Sequence, residues 1–411
     1  MTPLFYLMVL CLPFSIGGWS IEIAGVEFHP YIIMVVSLFP VALVMAGTGY
    51  AKLQVRLIDW LIAALALSFL ATTLITETDR SGWRLAFRAL FVPIASYLIC
   101  RVSIRSEGVY RRAISAAGIG FVILAGGTLL TFIEQRVRPF VFSMPPIGVA
   151  TLLMMGLVYL LYQRHVNSIV RLLGTTFFGV AFLVTLSRVY LLAVLVSPIL
   201  NFACRRWLVL VWSVVLSTAL IVTLAFTYGA DLSQYSAAGT EGQDTVERMV
   251  AWRHIERAML GRAFVYRESL QKLDDNLVFG GGIRVGDFQV TPHNFNVEWL
   301  EYGGVLGYLL FAAVFLANAS SAAKFQNRDV ELSVLNLILL IIILNSLTNG
   351  FMHGVMPFAA FILLGMTQAR ISLLTTAKDA RQKPRRRREE YSRFAGRKRH
   401  AMSPEPRART D

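Results

Sequence analysis

Apolar runs of membrane-spanning length recur along the chain at residues 3 to 20, 30 to 47, 57 to 75, 85 to 100, 113 to 133, 145 to 162, 172 to 186, 189 to 203, 207 to 227, 298 to 318, 330 to 350 and 353 to 373. Short polar breaks separate them. A helix needs about 20 consecutive apolar residues to cross the hydrocarbon core of a bilayer. The pattern therefore predicts an all-α polytopic membrane protein of about twelve transmembrane helices, with 172 to 186 and 189 to 203 short for a full crossing. Only residues 228 to 297 form a long hydrophilic insertion, and they predict one large, partly helical outer loop. The expected organisation is a six-span scaffold over 1–171, spans seven to nine over 172–227, the loop over 228–297, the last spans over 298–373, and a basic, disordered tail over 374–411. No basic residue precedes the first run and no small-residue cleavage site follows Leu12, so that run is read as a retained span and not a signal peptide.

Composition agrees with the pattern. The 411 residues are 56% hydrophobic and 16% charged, and the mean hydropathy is +0.59. These values exclude an ordinary soluble protein. Loop charge then orients the chain: Lys52 and Arg56, Arg101 to Arg112, Arg164 and Arg171, Arg205 and Arg206, and Lys324 and Arg328 fall in alternate loops. The positive-inside rule places those loops and both termini in the cytoplasm and the 228–297 segment outside. The net charge of +14 comes largely from the tail, where residues 370 to 411 hold 14 Lys and Arg against 5 Asp and Glu. A basic tail next to a span meets anionic membrane lipids, and no nucleic acid partner is expected. Cys11, Cys100 and Cys204 lie in or beside different spans, without the spacing of a disulfide framework or a metal site.

The candidate chemistry centres on Thr291-Pro292-His293-Asn294, which reads as a helix N-terminus with Thr291 as cap and Pro292 in the first helical position. His293 then falls in the first turn, beside unpaired backbone donors that favour an anion. The same dipole keeps the imidazole neutral and suited to act as a general base. Glu298 and Glu301 follow on the same helix, either as interface hydrogen-bond partners or as groups that orient His293. Arg84 and Arg88, four residues apart at the outer end of span four, either snorkel to the interface or wall an anion site. Arg188 sits in an outer hairpin of almost nothing but Ser187 and Arg188; it either snorkels or holds a phosphate with its planar fork of donors. No outer Asp-x-Asp pair, HExxH or cysteine ligand set is present, so no metal or other cofactor is expected.

Ser187-Arg188, Arg248 with Trp252, Asn276 to Gly282, His293-Asn294 and Gly304-Val305-Leu306-Gly307 occur in that order. The set resembles the O-antigen ligase and polymerase superfamily of bacterial surface-polysaccharide assembly, over roughly residues 172 to 320. The resemblance implies a metal-independent, inverting glycosyltransferase at the periplasmic face of the inner membrane, with an undecaprenyl-diphosphate-linked glycan as donor. It implies Arg188 and Arg248 as ligands of the diphosphate, Arg253 as the competitor of Arg248, and His293 as base, with Asn294 a further candidate. Leu277 departs from the family, in which proline often precedes the glycine turn. Gly303, Gly304 and Gly307 would let helices or the lipid tail of the donor approach closely. The expected acceptor is a lipid A core, which makes a ligase; a glycan acceptor on a second lipid-linked unit would make a polymerase. A transporter ranks below both, because Asp59 and Arg88 lie near span ends and the span middles carry no charge.

Overall fold

The computed structural model describes residues 1–15, 20–23, 26–49, 54–76, 80–135, 140–141, 144–163, 166–185, 187–204, 276–282, 294–325, 329–349 and 354–377. These residues are mostly helical. Among the described residues six helices are long and apolar enough to cross a membrane: Pro30–Gly47 (α2), Leu57–Ile75 (α3), Gly82–Ser103, Glu107–Gln135 (α6), Asn296–Ala323 and Met356–Ala377 (α13). The Gly82–Ser103 stretch comprises most of α4 (Arg80–Ala86), a π turn at Phe87–Phe91 and α5 (Val92–Ser103). Shorter apolar helices are α7 (Pro146–Tyr162) and α8 (Ser168–Leu183), and α12 is Val330–Asn349. The described residues are those of a largely α-helical membrane protein.

Three expectations need correction. The first apolar run is not one span: α1 (Thr2–Leu10) stops at Cys11 and a 3₁₀ turn, Leu12–Phe14, follows, because Pro13 cannot continue an α-helix. A two-stranded antiparallel ribbon, β1 (Ile21–Ile23) with β2 (Val26–Phe28), then pairs Ile21 with Phe28 and Ile23 with Val26, so the fold is not wholly helical. The run 189 to 203 divides at Val196 into α9 (Arg188–Leu195) and α10 (Ser197–Cys204). Pro198 accounts for that break, since it disfavours helical geometry in the residue before it and removes a backbone donor. The run 207 to 227, most of the 228–297 segment and the tail beyond Ala377 lie outside the described residues.

Packing joins helices that are remote in sequence. α11 (Phe295–Ala323) lies along α3, α2 along α5, α1 along α6, and α12 against α7, α9, α10 and α11. At one end of the bundle the charged groups pair. Arg101 donates from Nε and Nη2 to Asp59 at 3.2 and 3.1 Å, from Nη2 to the Gln54 carbonyl at 2.9 Å, and from Nη1 to Ser372 at 3.0 Å. Asp59 also accepts from the Arg56 backbone N–H at 2.8 Å, closing the first turn of α3, and from the Tyr97 hydroxyl. A second set gathers on Arg370, which reaches Asp329 at 2.8 Å, Glu331 at 3.5 Å and Glu107. Buried charges need partners of this kind, because an unpaired ion in a low-dielectric interior is costly. Deeper in the bundle, Asn318 donates to Asn336 at 3.1 Å and accepts from Gln368 at 2.9 Å, tying α11, α12 and α13 with neutral amides.

Candidate functional site

α11 starts at Phe295, and its cap is Asn294, not Thr291. The Asn294 side-chain oxygen accepts from the backbone N–H groups of Asn296 at 2.9 Å and Val297 at 3.3 Å, while its carbonyl accepts from Glu298 N–H at 2.9 Å. Asparagine is among the strongest cap residues, because its short amide reaches the first-turn donors without strain. Two donors expected to attract an anion beside His293 are therefore already satisfied. His293 precedes the cap and is not in the first turn of this helix; its own placement, with those of Thr291, Arg248 and Arg253, lies outside the described residues.

One turn of chain is built into a break in α11. Gly304 has φ 63 and ψ −168, a backbone conformation that interrupts the helix and that L residues rarely adopt. The break removes the ordinary i to i−4 bonds around it, and residues 276–282 replace them. Val305 N–H donates to the Leu277 carbonyl at 3.0 Å and Leu306 N–H to the Val278 carbonyl at 3.2 Å. In return Gly281 N–H donates to the Glu301 carbonyl at 2.7 Å. Asn276 closes the turn by accepting from Phe279 N–H at 3.1 Å, and Thr72 of α3 donates its hydroxyl to the Phe279 carbonyl at 3.1 Å. Interrupted backbone at membrane depth is tolerated where protein satisfies and covers it, as here.

The glycines beside the break receive protein, the first of the two alternatives the sequence left open for them. The Phe69 ring lies against Gly303 and Gly307, and the backbone of residues 278–280 lies against Gly304. Trp299 fills the space beside Phe69, edge-on at 4.9 Å between centroids, and stacks on Phe311 at 4.1 Å. This packing holds the first turns of α11 rigidly. They carry Asn294, Asn296, Glu298 and Glu301, all buried, so carboxylates and amides are concentrated in a layer of low dielectric.

Arg188 is the first residue of α9, directly after Ser187. Two residues on, the Tyr190 hydroxyl bonds Thr151 of α7 at 2.6 Å and the Asn345 side chain of α12. α12 also packs against α11. Arg84 in α4 and Arg88 in the π turn are half-buried near the start of their own segment. π turns within helices are frequent at functional sites. Among the described residues no three His, Cys, Asp or Glu side chains are grouped to hold a metal ion.

Sequence reasoning missed Thr72 and Tyr190. A threonine near a helix end and a tyrosine two residues after an arginine carry no local signal of a partner 207 or 39 residues away. Comparison with known protein families and with curated proteins gives no match.

Proposed function

We propose that the chain is an O-antigen ligase-like glycosyltransferase of the bacterial inner membrane, with both termini in the cytoplasm. Its donor is a glycan on undecaprenyl diphosphate and its acceptor a lipid A core. The observation that carries this reading is the union of separate motifs: the 276–282 glycine turn is hydrogen-bonded into the Gly304 break, a few turns from the Asn294 cap. Arg188 begins a helix that Tyr190 ties to α7 and α12. Such a unit supplies rigid placement at a membrane surface, which a reaction between two lipid-anchored substrates needs.

His293 takes the proton of the acceptor hydroxyl as that oxygen attacks the anomeric carbon and the bond to the diphosphate breaks, inverting the centre. The leaving diphosphate gains charge, and Arg188 with Arg248 stabilises it through charge-assisted hydrogen bonds; Arg253 is the alternative to Arg248. Buried Glu298 and Glu301 orient the base or the acceptor sugar from one helix turn below. No metal is required.

The test is a cell whose only copy carries His293→Ala, with membrane expression verified, read by its surface polysaccharide and its lipid-linked glycan pool. Loss of long chains from lipid A core with accumulation of long glycan on undecaprenyl diphosphate is the expected result. Accumulation of single repeat units would instead assign a polymerase on the same donor. A wild-type profile would remove His293 from catalysis and revive the transporter reading.

A further inference from the structure

A cavity of about 720 Å³ lies between α6, α7 and α8, with α12 and α13 behind it. Its volume is within the range of about 300 to 1,000 Å³ usual for ligand sites. The lining is almost entirely apolar, including Phe121, Met155 and Ile338. Arg111, Ser115, Tyr159 and Glu331 supply the polar side chains, and all four fall at one end. Arg111 and Ser115 are a turn apart near the start of α6, Tyr159 is near the end of α7, and Glu331 is near the start of α12.

A smaller pocket of about 290 Å³ lies between the end of α7 and the first turns of α8, lined by Ser168, Arg171 and Thr175. Arg171 is next to Val170 and a turn from Gly174, both of which line the larger cavity. Arg112, next to Arg111, is exposed, and the Arg111 side chain is 55% exposed even while it reaches Glu107 at 2.9 Å and Glu331 at 3.6 Å. Arg111, Arg112 and Arg171 therefore gather near the polar end of an apolar slot, together with the carboxylate of Glu331. Dry apolar cavities of this length do not favour water, and basic pockets between membrane helices select anionic head groups.

We propose that this slot binds an anionic phospholipid, with an acyl chain between α6 and α8 and its phosphate among Arg111, Arg112 and Arg171. The assignment is independent of the transferase reading, because the polar mouth lies at the bundle end of the Arg101 and Arg370 networks, opposite the Asn294 cap. The rim arginines set the head-group preference, and the small residues of the wall make room for the chain. Gly118 is one of these: a Cβ added there meets nothing within 4 Å.

The test titrates the purified full-length protein in detergent with dioleoyl phosphatidylglycerol or dioleoyl phosphatidylcholine and counts retained lipid by native mass spectrometry. Wild type is expected to retain phosphatidylglycerol preferentially. Gly118→Trp fills the slot and is expected to lower retention by about tenfold or more, equivalent to withdrawing only about two methylene groups from apolar surroundings. Gly126→Trp is the matched control, because a Cβ at Gly126 also meets nothing within 4 Å and that position does not line the slot. Arg171→Gln with Arg112→Gln is expected to lower phosphatidylglycerol retention by about fivefold per charge and to leave phosphatidylcholine unchanged. Equal retention of the two lipids by wild type would overturn the proposal, as would undiminished retention by Gly118→Trp. If Gly118→Trp fails to fold, the paired arginine variant decides: retention equal to wild type overturns it.

Discussion

Gly280 and Gly304 meet backbone to backbone, and a Cβ built on either would lie 2.5 Å from the amide nitrogen of the other. Both have positive φ, so shape and torsion exclude a side chain at each. Gly304→Ala is expected to lower stability by at least about 2 kcal/mol, from left-handed strain and the overlap together. Gly281→Ala is the control: its Cβ would sit at an ordinary 3.6 Å from the Glu301 carbonyl oxygen, and φ is not positive there. Thermal unfolding in detergent separates the two; equal melting temperatures would remove the break from the stability of this fold.

Gly303 and Phe69 are coupled in a different way. An alanine at 303 would place its Cβ 2.8 Å from the Phe69 ring, and the ring is held by Trp299 on its other side. Gly303→Ala is expected to destabilise alone and to be partly rescued by Phe69→Leu, with a coupling of about 1 kcal/mol in a double-mutant cycle. Additive effects would mean that the ring moves aside freely.

Replacing Asn294 tests whether capping explains its burial. Asn294→Ala is expected to lose about 1 kcal/mol of stability, whereas Asn294→Ser keeps a cap oxygen and recovers most of it. If polysaccharide transfer in cells falls equally in both variants while only the alanine form melts early, Asn294 touches substrate as well.

The Arg101 and Asp59 pair predicts a large asymmetric effect. Arg101→Leu leaves Asp59 with a hydroxyl and one backbone donor in place of a guanidinium, and is expected to cost about 3 kcal/mol. The double change Arg101→Leu with Asp59→Leu removes both charges and is expected to regain more than half of that. Melting temperatures of wild type and the two variants give the answer, and a double variant worse than Arg101→Leu would contradict it.

Membrane class and most helix positions were legible because spans announce themselves by length and apolarity, signals that survive without tertiary information. Pro13 and Pro198 lie at the two breaks, but a proline alone is not a readable signal, since Pro40 sits inside α2 without ending it. The cap was harder: Thr291 and Asn294 are both good cap residues, and local chemistry does not choose between candidates three positions apart. Gly303, Gly304 and Gly307 were legible as places of close approach. What approaches them was not, since Phe69 and the 276–282 turn come from other parts of the chain. For the same reason single amides such as Asn318 and Gln368 look like isolated blemishes in apolar runs until folding brings them together.

The amide and guanidinium links to α13 bear on how the protein is made. Gln368, Arg370 and Ser372 belong to α13, which leaves the ribosome after the other described helices, yet they complete contacts with Asn318, Asp329 and Arg101. Earlier helices thus enter the bilayer with polar groups whose partners have not been synthesised. A chain terminated before Met356 would carry Arg101, Asn318 and Asp329 without these partners, a form open to recognition by membrane proteases. Delivery of α13 is the point at which these polar groups gain their partners.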